Sequence, residues 1–170
     1  MYEHIKFKNA INMRKANYDK FPSTKLTGML VQGWDSIISM LKKKMDARKV
    51  LAVDLYTGVY EEEVLDAFSK EFSGRVMNVR DLMKPEKEIQ TLTERFMTED
   101  VLFGYVTNLK LEDYLDGDKV AAARKQISEA KETIVIIGTG AAVVAPQDAM
   151  VVYADMARWE IQQRFCRHEV

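Results

Sequence analysis

Three sets of residues in this chain are of types that handle phosphate. The first is the turn Tyr56-Thr57-Gly58, between the apolar run Val50 to Leu55 and a segment that opens with Glu61, Glu62 and Glu63. Strand, tight turn and helix, in that order, form the setting of a phosphate-binding loop. There glycine amides cradle the phosphates, a lysine neutralises them and a serine or threonine holds Mg²⁺. This turn lacks the GxxxxGK[ST] pattern and is followed by three glutamates. Glutamates in a helix's first turn each offset its positive end by about 0.3–1 kcal/mol when exposed. Glu61 to Glu63 therefore read as helix-start residues occupying the space into which anion-binding amides would point.

The second set is Gly138-Thr139-Gly140. Gly-x-Gly after a strand is part of a dinucleotide fingerprint, yet Val143 holds the third glycine position and Pro146 follows before a helix could run. These glycines and Pro146 read as a tight connection between strands. The third set is Asp81, Arg164 and Arg167. Asp81 follows the strand-like run Arg75 to Val79, where a carboxylate can orient an acceptor hydroxyl and take its proton in phosphoryl transfer. Set before Leu-Met-Lys-Pro, it equally suits an ordinary helix entry. Arg164 and Arg167 are three apart and share a helix face, so they suit either a phosphate clamp or a solvated surface. Cys166, the only cysteine, reads as a half-buried helix residue. A catalytic thiol needs a base, and the only histidines are His4 and His168, the latter two residues away and off its face.

Elements with distinct periodicities must position these groups. A short helix is expected over 2–16, a break over 17–24, and then a helix capped by Ser23 or Thr24 and running to about Asp46. Its core stripe is Leu26, Leu30, Trp34, Ile37, Ile38 and Leu41. From Val50 onward strand and helix alternate. Strands are expected at 50–55, 75–79, 133–137 and 150–154, and a strand or packed loop at 101–106. Helices are expected at 60–72, at 86–97, at 119–130 with Asp118 as cap, and from Met156 to the end. This alternation predicts a three-layer α/β domain with a mainly parallel sheet, helices on both faces and helices preceding it. Its crevice lies beyond the carboxyl ends of the strands. The division expected is an N-terminal helical segment, 1–47, and an α/β domain, 48–170.

Composition narrows the partners. The chain has 170 residues, enough for one domain with a core; Lys+Arg 25 against Asp+Glu 26 gives a net charge of −1. That balance argues against nucleic acid as partner. The basic cluster Lys42, Lys43, Lys44, Arg48 and Lys49 reads as a solvated helix C-terminus. The charged N-terminus is no signal-peptide core and the apolar run 133–146 is too short to span a bilayer, so a cytoplasmic protein without membrane contact is expected. One cysteine leaves no cysteine-rich metal site, and no metal ligands are assigned.

The order of these pieces resembles the uridine-kinase-like branch of the P-loop kinases over about residues 48–170. VRDLMKP holds Asp81 in the place of that branch's Asp motif, IVIIGTGA is similar to its Glu-Gly strand, and VVYADMARWEIQQRFCR to its last strand and arginine helix. Ile137 stands where the Glu would be, and Glu61 to Glu63 where Lys and Ser/Thr would be. The resemblance therefore implies a P-loop-NTPase-like fold whose nucleotide and Mg²⁺ ligands have been replaced. Across nearly the whole chain, ANYDKFPSTKLTGMLVQGWDSI, VDLYTGVYEEEV and DMARWEIQQRFCRHEV resemble the N-terminal region of long, Bacteroides-type class I mannose-6-phosphate isomerases. In that family a kinase-like region precedes a zinc-dependent cupin isomerase domain. The resemblance implies a non-catalytic accessory or regulatory domain with no cofactor of its own, zinc belonging only to a following isomerase domain. That domain is the implied partner, and the helix running without a stop signal to Val170 fits a chain that continues into it. A second copy of the chain and a small phosphorylated metabolite are further candidate partners. The alternative is a divergent sugar or nucleoside kinase. In either case the expected ligand-binding residues are Tyr56, Thr57, Gly58, Gly138, Thr139, Gly140, Arg164 and Arg167, with Asp81 as candidate acid–base group.

Overall fold

The computed structural model describes residues 18–19, 22–25, 27–100 and 103–169. The chain forms two compact units, Met1–Leu30 and Val31–Val170. The helix expected over 2–16, His4, Leu26, Val101, Leu102 and Val170 lie outside the described residues. Within the first unit the described residues carry no helix or strand.

In the second unit, helix α1 spans Trp34–Met45, about ten residues shorter at its start than the expected helix from residue 24. Gly33 precedes it at φ 85°, in the left-handed region, so a right-handed helix cannot extend back through this residue. Leu30, placed on the apolar stripe by sequence, is exposed, whereas Ile38, Leu41 and Met45 are buried.

The chain then builds β1 (Val50–Leu55), α2 (Glu61–Glu71) and β2 (Arg75–Asn78), followed by a single 3₁₀ turn, Val79–Leu82. After these come α3 (Glu86–Glu94), the short α4 (Leu111–Tyr114), α5 (Gly117–Glu129), β3 (Ile134–Gly138), α6 (Ala141–Val144), β4 (Met150–Ala154) and α7 (Arg158–Cys166). All four strands lie in one parallel sheet in the order β2-β3-β1-β4. The described part of 101–106, residues 103–106, is neither helix nor strand. Asp116, rather than Asp118, caps α5: its Oδ1 accepts from the amides of Asp118 and Lys119 at 3.0 and 3.1 Å. The last helix begins at Arg158 and ends at Cys166, short of the expected run from Met156 to the terminus; Cys166 is exposed rather than half-buried.

The alternation of side chains along β1 and β3 divides the core into two layers. Val50, Ala52, Ile134 and Ile136 face one way, against Val79, Val120, Ala123, Ile127, Ala141 and Val144 from the 3₁₀ turn, α5 and α6. Leu51, Val53, Leu55, Val135 and Ile137 face the other way, against Ile38, Leu41, Val64, Phe68 and Phe72 on and beside α1 and α2. A strand buried on both faces reads as a continuous apolar run, as β1 and β3 do. Register is regular: Val50 lies beside Ile134 and Asp54 beside Gly138, while Leu51 lies beside Met150 and Leu55 beside Ala154.

Candidate functional site

The strands β1 and β3 are neighbours, but the chain leaves them in opposite directions. After β1 it passes to α2 on one face, and after β3 to α6 on the other. Such divergence opens the crevice in which open parallel sheets commonly bind ligands. Two of the sequence-selected segments, Tyr56-Thr57-Gly58 and Gly138-Thr139-Gly140, meet at this point. The Thr139 hydroxyl donates to the Leu55 carbonyl at 3.0 Å, joining the two strand ends.

The charged group at these strand ends is Asp54, the single charge in the apolar strand VLAVDL. Its Oδ1 accepts from the Gly140 amide at 3.1 Å and its Oδ2 from the Ala142 amide at 2.9 Å. Both carboxylate oxygens thus take amides at the start of α6, the kind of donors an incoming anion would need. Sequence reasoning passed over Asp54. The available signal was a lone carboxylate within a run otherwise buried on both faces, where an ionised group requires partners.

The segment Gly140–Val144 also corrects an expectation. Gly138, Gly140 and Pro146 were read as a connection with no helix, whereas one turn of helix, α6, fits between Gly140 and Ala145. Ala141 and Val144 are buried, so core packing holds a turn whose sequence carries no side-chain cap.

Glu61, Glu62 and Glu63 lie in the first turn of α2, as expected, and Glu61 and Glu63 also bond to neighbouring elements. The start of α2 has Tyr60 as N-cap and no capping side chain. The Glu61 carboxylate accepts from Asn78 Nδ2 at 2.7 Å and from the Arg80 guanidinium at 3.0 Å, tying α2 to the end of β2. Glu63 accepts from Trp34 Nε1 at 2.9 Å, tying α2 to α1. These are inter-element ties. The space above the turn is taken instead by α7.

Arg164 of α7 donates to the Gly58 carbonyl at 2.6 Å and to Glu160 at 3.1 Å, and its guanidinium lies 3.7 Å from the centre of the Tyr60 ring. Its side chain is only 14 % exposed. Gly58, at φ 91°, allows this approach; a Cβ there would lie 3.1 Å from Ile161 Cγ1 of α7. Arg167 is paired with Glu169 at 2.7 Å and with Glu160 at 3.2 Å, and Tyr60 donates its hydroxyl to Glu169 at 2.5 Å. The Arg167 guanidinium, and then the Tyr60 hydroxyl, hold the Glu169 carboxyl down at about 2. Arg164, followed by Arg167, lowers the Glu160 carboxyl. The hydrogen bond to Glu169 raises Tyr60, with burial adding to it. Both arginines selected as a phosphate clamp are thus engaged with acceptors of their own chain.

Asp81 lies elsewhere. It lines a cavity of about 310 Å³ beside β2 with Arg75, Asn78, Lys119 and Gln126, and none of the residues of the two turns lines that cavity. Another cavity, of about 980 Å³, opens at the opposite, N-terminal end of the sheet. Lys44, Arg48, Lys49 and Arg124 on its wall are mixed with Asp46, Glu132 and Asp148. Among the described residues, no group of three or more His, Cys, Asp or Glu could hold a metal ion, and no helix is long and apolar enough to cross a membrane.

Comparison with known proteins matches residues 33–170 to the family model described as Domain of unknown function (DUF8485). No curated protein and no solved structure matches the chain.

Proposed function

The chain belongs to the DUF8485 family, and for this member we propose a non-catalytic, P-loop-kinase-like accessory role in a mannose-6-phosphate isomerase. The observation that carries the non-catalytic part is the Asp54 carboxylate, which takes the Gly140 and Ala142 amides beside the Tyr56 turn, so that a carboxylate already stands at these strand ends. A phosphate brought to those amides meets a carboxylate already bonded to them, and like charge excludes it. Arg164, bonded to Gly58 and Glu160, supports the same reading from the other side of the crevice. The isomerase context rests on the segments that resemble that family's N-terminal region, and it makes the zinc-dependent isomerase domain the partner.

ATP·Mg²⁺ titration, followed by fluorescence of Trp34 and Trp159, tests the first part. No response up to millimolar nucleotide is expected. Saturable binding, or phosphorylation of a sugar or nucleoside that is lost in Asp81→Asn, would establish the kinase alternative instead. Mixing the chain with a separately expressed isomerase domain of that enzyme type tests the second part, with a stable complex expected on size-exclusion chromatography. Two non-interacting species would remove the isomerase assignment and leave the nucleotide result standing.

A further inference from the structure

The sheet has two outer strands, β2 and β4, and they are protected to different degrees. β2 carries Arg75 and runs along a cavity that Lys119 and Gln126 also line. β4 reads Met-Val-Val-Tyr-Ala, with no charge, proline or glycine, and its pairing with β1 runs through all five residues without a bulge. Among the described residues, nothing hydrogen-bonds to its outer side. Charge, proline and bulges are the usual means of blunting such an edge.

The direction of the free main-chain groups follows from one hydrogen bond. Tyr56 donates its amide to the Ala154 carbonyl at 3.0 Å, so the peptide groups of Ala154 face β1. Alternation then turns those of Met150 and Val152 toward β1, and those of Val151 and Tyr153 outward. Val151 and Tyr153 are 54 % and 58 % exposed, and the Tyr153 ring lies 6.2 Å from the ring of Tyr56, a residue 45 % exposed. An unpaired row of donors and acceptors therefore runs beside an uncovered apolar face, the arrangement that accepts an added strand.

Charge at the two ends of the edge selects the occupant. Asp155 follows Ala154 at the carboxyl end, and Asp54 stands on the neighbouring strand at the same level, beside Tyr153. At the other end Asp148 shares a cavity wall with Lys49, and the two signs balance. We propose that the outer edge of β4 is a docking site for an extended apolar segment of another polypeptide that places a basic residue beside Asp155, adding a fifth strand to the sheet. A second copy of this chain fits less well, because antiparallel pairing of two β4 strands sets Asp155 of one copy against the charge-balanced Asp148 and Lys49 end of the other, which offers it no net positive charge. The site does not depend on whether the crevice beyond β1 and β3 takes a nucleotide.

Short synthetic peptides alternating valine and threonine, with a lysine pair or a glutamate pair at one end, are the probes, and calorimetric titration is the measurement. The lysine peptides should bind about tenfold more tightly than the glutamate peptides, the scale of exchanging attraction for repulsion at an exposed carboxylate. Asp155→Lys should reverse that preference. Tyr153→Pro removes an outward amide and leaves the β1 ladder intact, so the variant should keep its circular dichroism and urea midpoint yet lose peptide binding. Val151→Pro should do the same, and covers the case in which Tyr153→Pro fails to fold. Failure of every probe to bind, equal affinity for lysine and glutamate peptides, or unchanged binding in a folded proline variant would overturn the proposal. So would self-association in sedimentation that the proline variants abolish, since the occupant would then be a second copy.

Discussion

Asp54 is held by two amides that belong to a helix of one turn, and that turn has no other capping side chain. Replacing it with alanine leaves both donors without that partner, the Gly140 amide in a half-buried place and the Ala142 amide in an exposed one. The expected loss is about 1–3 kcal/mol, the range for removing a charged hydrogen-bond partner, read from urea unfolding. If the carboxylate were a mere surface charge, Asp54→Ala would change the unfolding free energy by less than about 0.5 kcal/mol. A second residue-scale prediction concerns pH. Glu169 is held at about 2 against an ordinary 4.5, and Glu160 is lowered as well. Carboxyls lowered on folding contribute stability above their unfolded values, and this contribution disappears as pH falls through the folded values. The difference in urea midpoint between the wild type and Arg167→Gln should therefore be constant near neutrality and shrink between about pH 4.5 and 2. A difference that grows over that interval would contradict the assignment of these two carboxylates.

Among the elements, those whose signal is local match their expected positions most closely. β1 and β4 begin and end where their apolar runs do, and α2 lies within a residue of its expected span at each end. Helix starts were less legible, because several residues in a row offer a capping oxygen and only the path of the preceding chain selects among them. At α5 the sequence pointed to Asp118 alone, whereas Asp116 accepts both amides. Asp116→Ala should cost about 1 kcal/mol and Asp118→Ala less than half of that. Equal losses in thermal or urea unfolding would mean that the cap is shared. The one-turn α6 gave no sequence signal, since four apolar residues show no period; it exists because Ala141 and Val144 are buried against the sheet.

For the whole second unit, one sheet serves two core layers, and the strands β1 and β3 contribute to both. Unfolding of that unit should therefore be a single transition. Phe68 and Ile127 stand on opposite layers, 1 % and 8 % exposed. Phe68→Ala should cost about 3–5 kcal/mol and Ile127→Ala about 2–5 kcal/mol. The double variant should sum the two to within about 0.5 kcal/mol, because the sites share no contact partner across the sheet. A biphasic curve in either single variant would show that the layers unfold separately.

The sequence by itself determined the class of fold and that the Tyr56 turn and the Gly138 loop lie at strand ends. Apolar runs alternating with amphipathic helices admit few arrangements other than a parallel sheet covered on both faces, and the turn at Tyr56 and the loop at Gly138 fall at strand ends in any of them. It also pointed to Arg164 and Arg167 as residues of one face. Only the tertiary structure decided what these groups do. Whether a carboxylate or a guanidinium is available to a ligand depends on which acceptors and donors the fold brings to it, and those lie far away in sequence. Asp54 meets Gly140 and Ala142, Arg164 meets Gly58, and Tyr60 meets Glu169 across the folded chain. Periodicity records which side of an element faces the core. It carries no information about which polar groups from separate elements will satisfy one another, and at these strand ends those pairings occupy the groups the sequence singled out.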